Sequence, residues 1–162
     1  MGEAAKEEIM RMRHWVLLVI LPGLSGMAMT ARAQSAADTA AIKVTALDYV
    51  EGWYEGNAER MERALHPDLA KRIVVKDSES GKDDLSQMSA LWLVQRTRQG
   101  GGNKTPKDQQ QKDITILDVY EDMASVKVVF QKWVDYVHMA KFDGRWVIVN
   151  VLWHLKPKTE QK

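Results

Sequence analysis

The side chains of this sequence best suited to chemistry are a few histidines and carboxylates set among apolar residues. His66 and Asp68 flank Pro67, and Asp135, His138 and His154 fall within the apolar C-terminal stretch. Imidazole and carboxylate are the usual general acid and base, so His66 or His154 acting with Asp68 or Asp135 would serve a lyase or isomerase that moves a proton. His66-Pro67-Asp68 is equally a turn and capping sequence. Asn150 lies inside Val147-Ile148-Val149-Asn150-Val151-Leu152; pointing inward it needs a hydrogen-bond partner, because an unsatisfied buried amide costs roughly 1–3 kcal/mol. Tyr49, Trp53, Trp92 and Trp146 could stack on a flat ligand or simply fill a core. Together with Asn150 they form the candidate ligand-binding set.

Other chemistries lack their residues. The 162-residue chain has no cysteine, which removes disulfides, zinc-thiolate sites and a thiol nucleophile. The histidines and carboxylates have no compact metal-ligand spacing, and there is no glycine-rich phosphate loop, Gly-x-Ser-x-Gly elbow or His-Glu-x-x-His pair. No metal or cofactor is expected. A formal charge of +1 with no basic stripe lacks the footprint of a nucleic-acid binder. A hydrophobic content of 45% with 28% charged residues is that of one globular domain.

The N-terminus reads as an address. Arg11 to His14 is a basic region, Trp15 to Leu21 an apolar one, and Ala31-Arg32-Ala33 a small-x-small cleavage signal. Residues 1–33 are therefore expected to be a cleavable signal peptide, and the protein periplasmic or secreted. The apolar run is shorter than the roughly 20 residues of a spanning helix, so no permanent membrane span is expected, with an uncleaved tether as the alternative. A flexible leader at 34–40, a domain at 41–156 and a frayed tail at 157–162 complete the expected organisation.

The elements that must position the candidates follow from periodicity. Ile42, Ala46, Tyr49, Val50 and Trp53 mark one face of a helix from Ile42 to Glu55, which Gly56 stops. Asn57 caps a second helix through Leu65, and Pro67 forces a turn. A brief strand at Arg72–Lys76, a polar turn at Asp77–Lys82 and a third helix from Leu85 to about Arg98 follow. Residues 99–112, with three glycines, Pro106 and a glutamine run, read as a solvated mobile loop, or as a lid. Strands at Ile114–Tyr120 and Ser125–Trp133 lead into a hairpin about Asp143-Gly144, the strongest local signal in the chain. The order implies an α+β fold, with about three helices laid on one face of a bent antiparallel sheet.

Symmetric pairing about that turn sets Met139 opposite Ile148, Val137 opposite Asn150, Asp135 opposite Leu152 and Trp133 opposite His154. Asp135, Asn150 and His154 then share the inner face with Trp146, while His138, Val149, Val151 and Trp153 share the other. The second face is too apolar to stand in water. A homodimer formed sheet to sheet through Val149, Val151 and Trp153 is the expected cover.

Two stretches carry a family resemblance. Ala46-Leu47-Asp48-Tyr49-Val50-Glu51-Gly52-Trp53-Tyr54-Glu55-Gly56-Asn57, continued by Met61 to Arg72, resembles the putative lumazine-binding branch of the nuclear transport factor 2-like, or SnoaL-like, superfamily, and so does the hairpin from Tyr136 to Trp153. The resemblance spans roughly residues 40–156. It implies a cone-shaped α+β barrel, often dimeric, whose interior in relatives such as the ketosteroid isomerases and scytalone dehydratase hosts acid and base chemistry. The isomerase pattern of paired Tyr and Asp with an Asp base is not recognisable here. The resulting expectation is an exported protein holding a lumazine-like or other flat apolar small molecule, with a lyase or isomerase, or a purely structural or dimerisation module, as alternatives.

Overall fold

The computed structural model describes the backbone of residues 24–160 and the side chains of residues 36–159. The expected leader's basic and apolar regions lie outside the described residues. Two compact units meet between Ala37 and Asp38, and the unit Asp38–Lys162 holds the whole sheet. Helix α1 is Leu24–Glu55 and continues through residues 34–40, where a flexible leader is expected. Ile42, Ala46, Tyr49, Val50 and Tyr54 are buried along one stripe of it, as the apolar spacing requires. Gly56, at φ 66°, ends it in the left-handed region that favours glycine. The Asn57 side chain accepts the Arg60 amide and starts α2, Ala58–Ala64.

The chain passes from α2 straight into β1, Leu65–Lys76, with no intervening turn. Pro67 instead creates a bulge. Leu65 pairs with Ile148 and Ala70 with Asn150, so His66 to Leu69 loop out of the ladder around a residue that has no amide hydrogen to donate. After Asp77–Lys82 the chain returns as β2, Asp83–Ser89, paired antiparallel to β1. Here the expected third helix is corrected: it is only α3, Ala90–Arg98, and its first turns are strand. Leu85 and Met88 fit helical spacing by coincidence; Leu85 is exposed, and the Ser89 hydroxyl caps the true helix start at the Trp92 amide.

Strands β3 (Asp113–Tyr120), β4 (Met123–Val129), β5 (Trp133–Phe142) and β6 (Arg145–Leu155) form the expected antiparallel meander. The six strands lie in the order β2-β1-β6-β5-β4-β3. The sheet is thus mixed rather than purely antiparallel, because β1 joins β6 in parallel, and it stays open, with β2 and β3 as edges. Among the described residues the architecture is α+β with three α-helices.

A bulge in the central hairpin overturns the symmetric register. Lys141 faces Trp146 and Met139 faces Ile148, but His138 faces Asn150, which leaves Val149 as an extra residue. Beyond it every β6 side chain changes face. Val137 pairs with Val151 and Asp135 with Trp153, so Val151 is buried core and the Trp153 ring turns inward. Val149, Val151 and Trp153, expected to form one dimer face, therefore do not share an outer face: Val151 is fully buried and Trp153 points inward. Asn150, Leu152 and His154 move to the outer side instead, where Leu152 and Tyr136 are exposed.

Candidate functional site

Alternation on β1 buries Leu69, Lys71 and Ile73 and leaves Arg72 and Val74 on the opposite side. A lysine thereby enters the core. Lys71 pairs with Val151 on β6, whose far neighbour β5 carries Asp135 opposite Trp153. Tyr49 reaches the same point from α1. The Lys71 Nζ donates to Asp135 Oδ2 at 2.6 Å and to Tyr49 Oη at 2.8 Å, and Tyr49 Oη donates to the same Asp135 oxygen at 2.6 Å. Exposures of 0% for Asp135, 2% for Tyr49 and 4% for Lys71 place the whole triangle away from solvent. Asp135 Oδ1 is buried with no hydrogen-bond partner among the described residues.

Burial, then the Asp135 charge, pushes the Tyr49 hydroxyl well above its ordinary range, so it stays protonated. Burial also holds the Lys71 amine below its usual value, with the Asp135 carboxylate acting against that fall.

The triangle lies behind the apolar wall of a cavity of about 210 Å³ lined by Tyr49, Trp53, Met61, Lys71, Met88, Trp92, Leu93, Phe130, Lys132, Trp133, Trp153 and Leu155. Its wall is a run of packed rings. Phe130 stacks on Trp133 at 4.6 Å, while Trp53 and Trp153 meet Trp133 edge-on at 5.7 and 6.2 Å. The Lys71 Nζ lies 5.0 Å from the Trp153 ring centre. Trp133 Nε1 and Trp153 Nε1 are buried without a partner among the described residues. Lys71 and Tyr49 line the cavity with their apolar atoms, and Asp135 is not part of the wall. Trp92, 47% exposed, and Leu155 stand at the mouth.

Of the sequence candidates, Tyr49, Trp53 and Trp92 line this cavity and Asp135 supports its floor. Trp146 does not: it is core, and its Nε1 donates to Asp38 Oδ1 at 3.0 Å. Asn150 is on the outer face, where it accepts from Arg72 Nη1 at 3.0 Å and contacts His138 Nδ1 at 3.2 Å. His154 is exposed and bonded to the neighbouring Leu155 carbonyl. The His66 ring stacks on Phe142, and its Nδ1 stands 3.8 Å from an Asp68 carboxylate whose side chain is 92% exposed. Among the described residues, therefore, no histidine lines the cavity.

Sequence reading missed Lys71, Phe130, Trp133 and Trp153 as site residues. Lys71 carried a signal, since period-2 alternation in Leu69-Ala70-Lys71-Arg72-Ile73 puts it in phase with two core residues. Trp153 carried none, because its face depends on the bulge.

Residues 99–112 are more tied down than a mobile loop. The Gly102 amide donates to the Trp53 carbonyl at 2.8 Å, and the Gln110 side chain donates to the Thr105 carbonyl. A Cβ at Gly102 would stand 2.5 Å from Trp53 Nε1, so only glycine fits against that ring. Among the described residues no group of three or more histidines and acids could hold a metal, and no helix is long and apolar enough to cross a membrane.

Residues 37–154 match a family model described as Putative lumazine-binding. No curated protein matches the chain. Among solved structures, a nuclear transport factor 2-like protein of unknown function from Methylobacillus flagellatus is similar at 25% identity and a TM-score of 0.58, covering 75% of this chain and 94% of that one. One from Shewanella baltica has 17% identity and a TM-score of 0.57, over 76% and 97% of the two chains. Another, from Novosphingobium aromaticivorans with a cystatin-like fold, has 12% identity and a TM-score of 0.62, over 85% and 94%.

Proposed function

Because the chain belongs to the putative lumazine-binding family, and its fold is nuclear transport factor 2-like, we propose that it binds a small, flat, largely apolar molecule in the aromatic cavity. The observation that carries this reading is an apolar cavity walled by four indoles, with the buried Lys71–Asp135 pair behind its wall. Ligand sites are commonly of this kind, apolar with a few convergent polar groups that fix orientation. The ammonium has three N–H bonds and two serve Tyr49 and Asp135. The wall left to a ligand is apolar and suits one that stacks on the indole faces. Lumazine, a flat bicycle with carbonyl acceptors, has that shape.

Titration of intrinsic tryptophan fluorescence with lumazine and a panel of flat heterocycles tests this. Saturable quenching is expected, and Trp92→Ala at the mouth should weaken it several-fold to about tenfold, as the loss of about 0.5–1.5 kcal/mol of ring contact implies. Asn150→Ala on the outer face should leave it unchanged. Quenching by no member of the panel would sink the reading.

A lyase or isomerase acting through Tyr49 and Asp135 is the second reading, favoured by their 2.6 Å hydrogen bond at the cavity floor. Export behind a cleaved leader is part of the proposal, tested by the N-terminus of the protein recovered from its host. An end near Gln34 is expected there.

A further inference from the structure

A second cleft, of about 310 Å³, borders the aromatic cavity, and Trp53, Lys132 and Trp133 line both spaces. The two differ in chemistry. The cavity is walled by rings, whereas the cleft adds Lys104, Thr105, Gln109 and Gln131, so two lysines line it and no carboxylate does. Lys76, Lys112 and Lys141 each meet a carboxylate within 2.8 Å, whereas Lys104 and Lys132 meet none among the described residues. Their charge is left to water or to an anion from outside. Gln131 Nε2 donates to Gln109 Oε1 at 3.0 Å, which leaves the Gln109 amide N–H groups free to donate as well. The frame is already set. The Gly102, Asn103 and Thr105 amides donate to the Trp53, Gly100 and Gly102 carbonyls at 2.8–2.9 Å, and the Gln110 side chain holds the Thr105 carbonyl. The loop that carries Lys104 therefore need not be ordered at the moment of binding, which spares a cost of association.

We propose that this cleft is an oxyanion site, and that the ligand of the aromatic cavity bears a carboxylate or phosphate ester which Lys104 and Lys132 bind. This rests on the cavity being a ligand site and names the class of ligand, a flat ring with an anionic arm. Lys132 joins the two spaces. Its stem belongs to the apolar wall and the same residue lines the cleft, so an arm that leaves the ring beside Trp133 meets this lysine along a shared wall. Lysine suits the task, because a point charge on a flexible stem pairs with carboxylate or phosphate without a fixed fork geometry. Gln109 and the Thr105 hydroxyl supply uncharged donors beside it. The apolar cavity selects for a flat ring, and the cleft adds selection by charge.

Fluorescence titrations of the full chain with 2-naphthylmethanol, 2-naphthylacetate and 2-naphthylmethyl phosphate test this, since the three share one ring. At low salt, either acid is expected to bind about tenfold or more tightly than the alcohol, the effect of one or two charge-assisted contacts. Sodium chloride at about 0.5 M should remove most of that preference, because both lysines are exposed. Lys104→Gln and Lys132→Gln should each cut the ratio of acid to alcohol affinity several-fold, and the ratio cancels any effect of a variant on the ring site. Equal affinity for all three compounds overturns the oxyanion site and leaves the aromatic cavity standing as a binding site. Binding of none overturns both readings, and a preference that survives both substitutions overturns the assignment to this cleft.

Discussion

Asp135 accepts from Tyr49 and Lys71 through one oxygen, so removing its carboxylate leaves a buried ammonium without its counter-charge. Asp135→Ala is expected to lower the unfolding free energy by about 3–5 kcal/mol, read as a fall in the urea midpoint at unchanged slope. A loss near zero would mean that Lys71 is solvated. Tyr49 supplies a pH dependence of known sign. Its pKa is raised from the ordinary 10.0 by burial and by Asp135. Above pH 10.0 the unfolded chain has released a proton that the native protein still holds, so this contribution to stability is complete below that pH and is lost as pH rises through it. Tyr49→Phe should therefore flatten the alkaline limb of the stability curve. A limb as steep as in the wild type would assign the loss to another group.

At the scale of elements, the cavity depends on two local irregularities. The first is the bulge at Val149, which brings Trp153 and Asp135 to one face. The second is the glycine contact beside α1, where the loop after α3 packs its backbone on Trp53. A methyl group at Gly102 meets the Trp53 ring and also Tyr54 Cδ1 at 3.1 Å. Trp53 walls the cavity and packs edge-on to Trp133. Gly102→Ala is expected to cost about 1–3 kcal/mol, the usual range for forced overpacking, and to weaken ligand binding along with stability. An unaltered melting curve would show that the loop yields instead of the ring.

For the whole molecule, the relevant boundary is Asp38. Its carboxylate accepts from Trp146 Nε1 and pairs with Lys141 Nζ at 2.8 Å, which fastens the helix to the β5–β6 hairpin. A chain beginning at Gln34 retains these bonds and should melt where the full-length chain does. A chain beginning at Ala40 loses them and should melt lower, as differential scanning calorimetry can read. Equal melting of the two truncations would remove Asp38 from the account. On the other side of the sheet, Arg72, Gln87, Asn150 and His138 are linked by hydrogen bonds. That polar network solvates an outer face which a regular register would have left rich in valine and tryptophan.

The sequence by itself determined that Ile42–Glu55 is helical and ends at Gly56, the helix after Asn57, the meander, the Asp143-Gly144 turn and the inward positions of Tyr49, Trp53 and Asp135. Each of these follows from local spacing, capping or turn chemistry, which a short window contains. Tertiary structure alone decided that β1 lies parallel to β6, that Ser89 rather than Leu85 begins α3, and that Trp153 faces the cavity while Asn150 faces out. Those outcomes turn on a single unpaired residue and on pairing between distant segments. One extra residue in a strand reverses every side chain beyond it, and nothing in the local pattern of β6 marks where it falls.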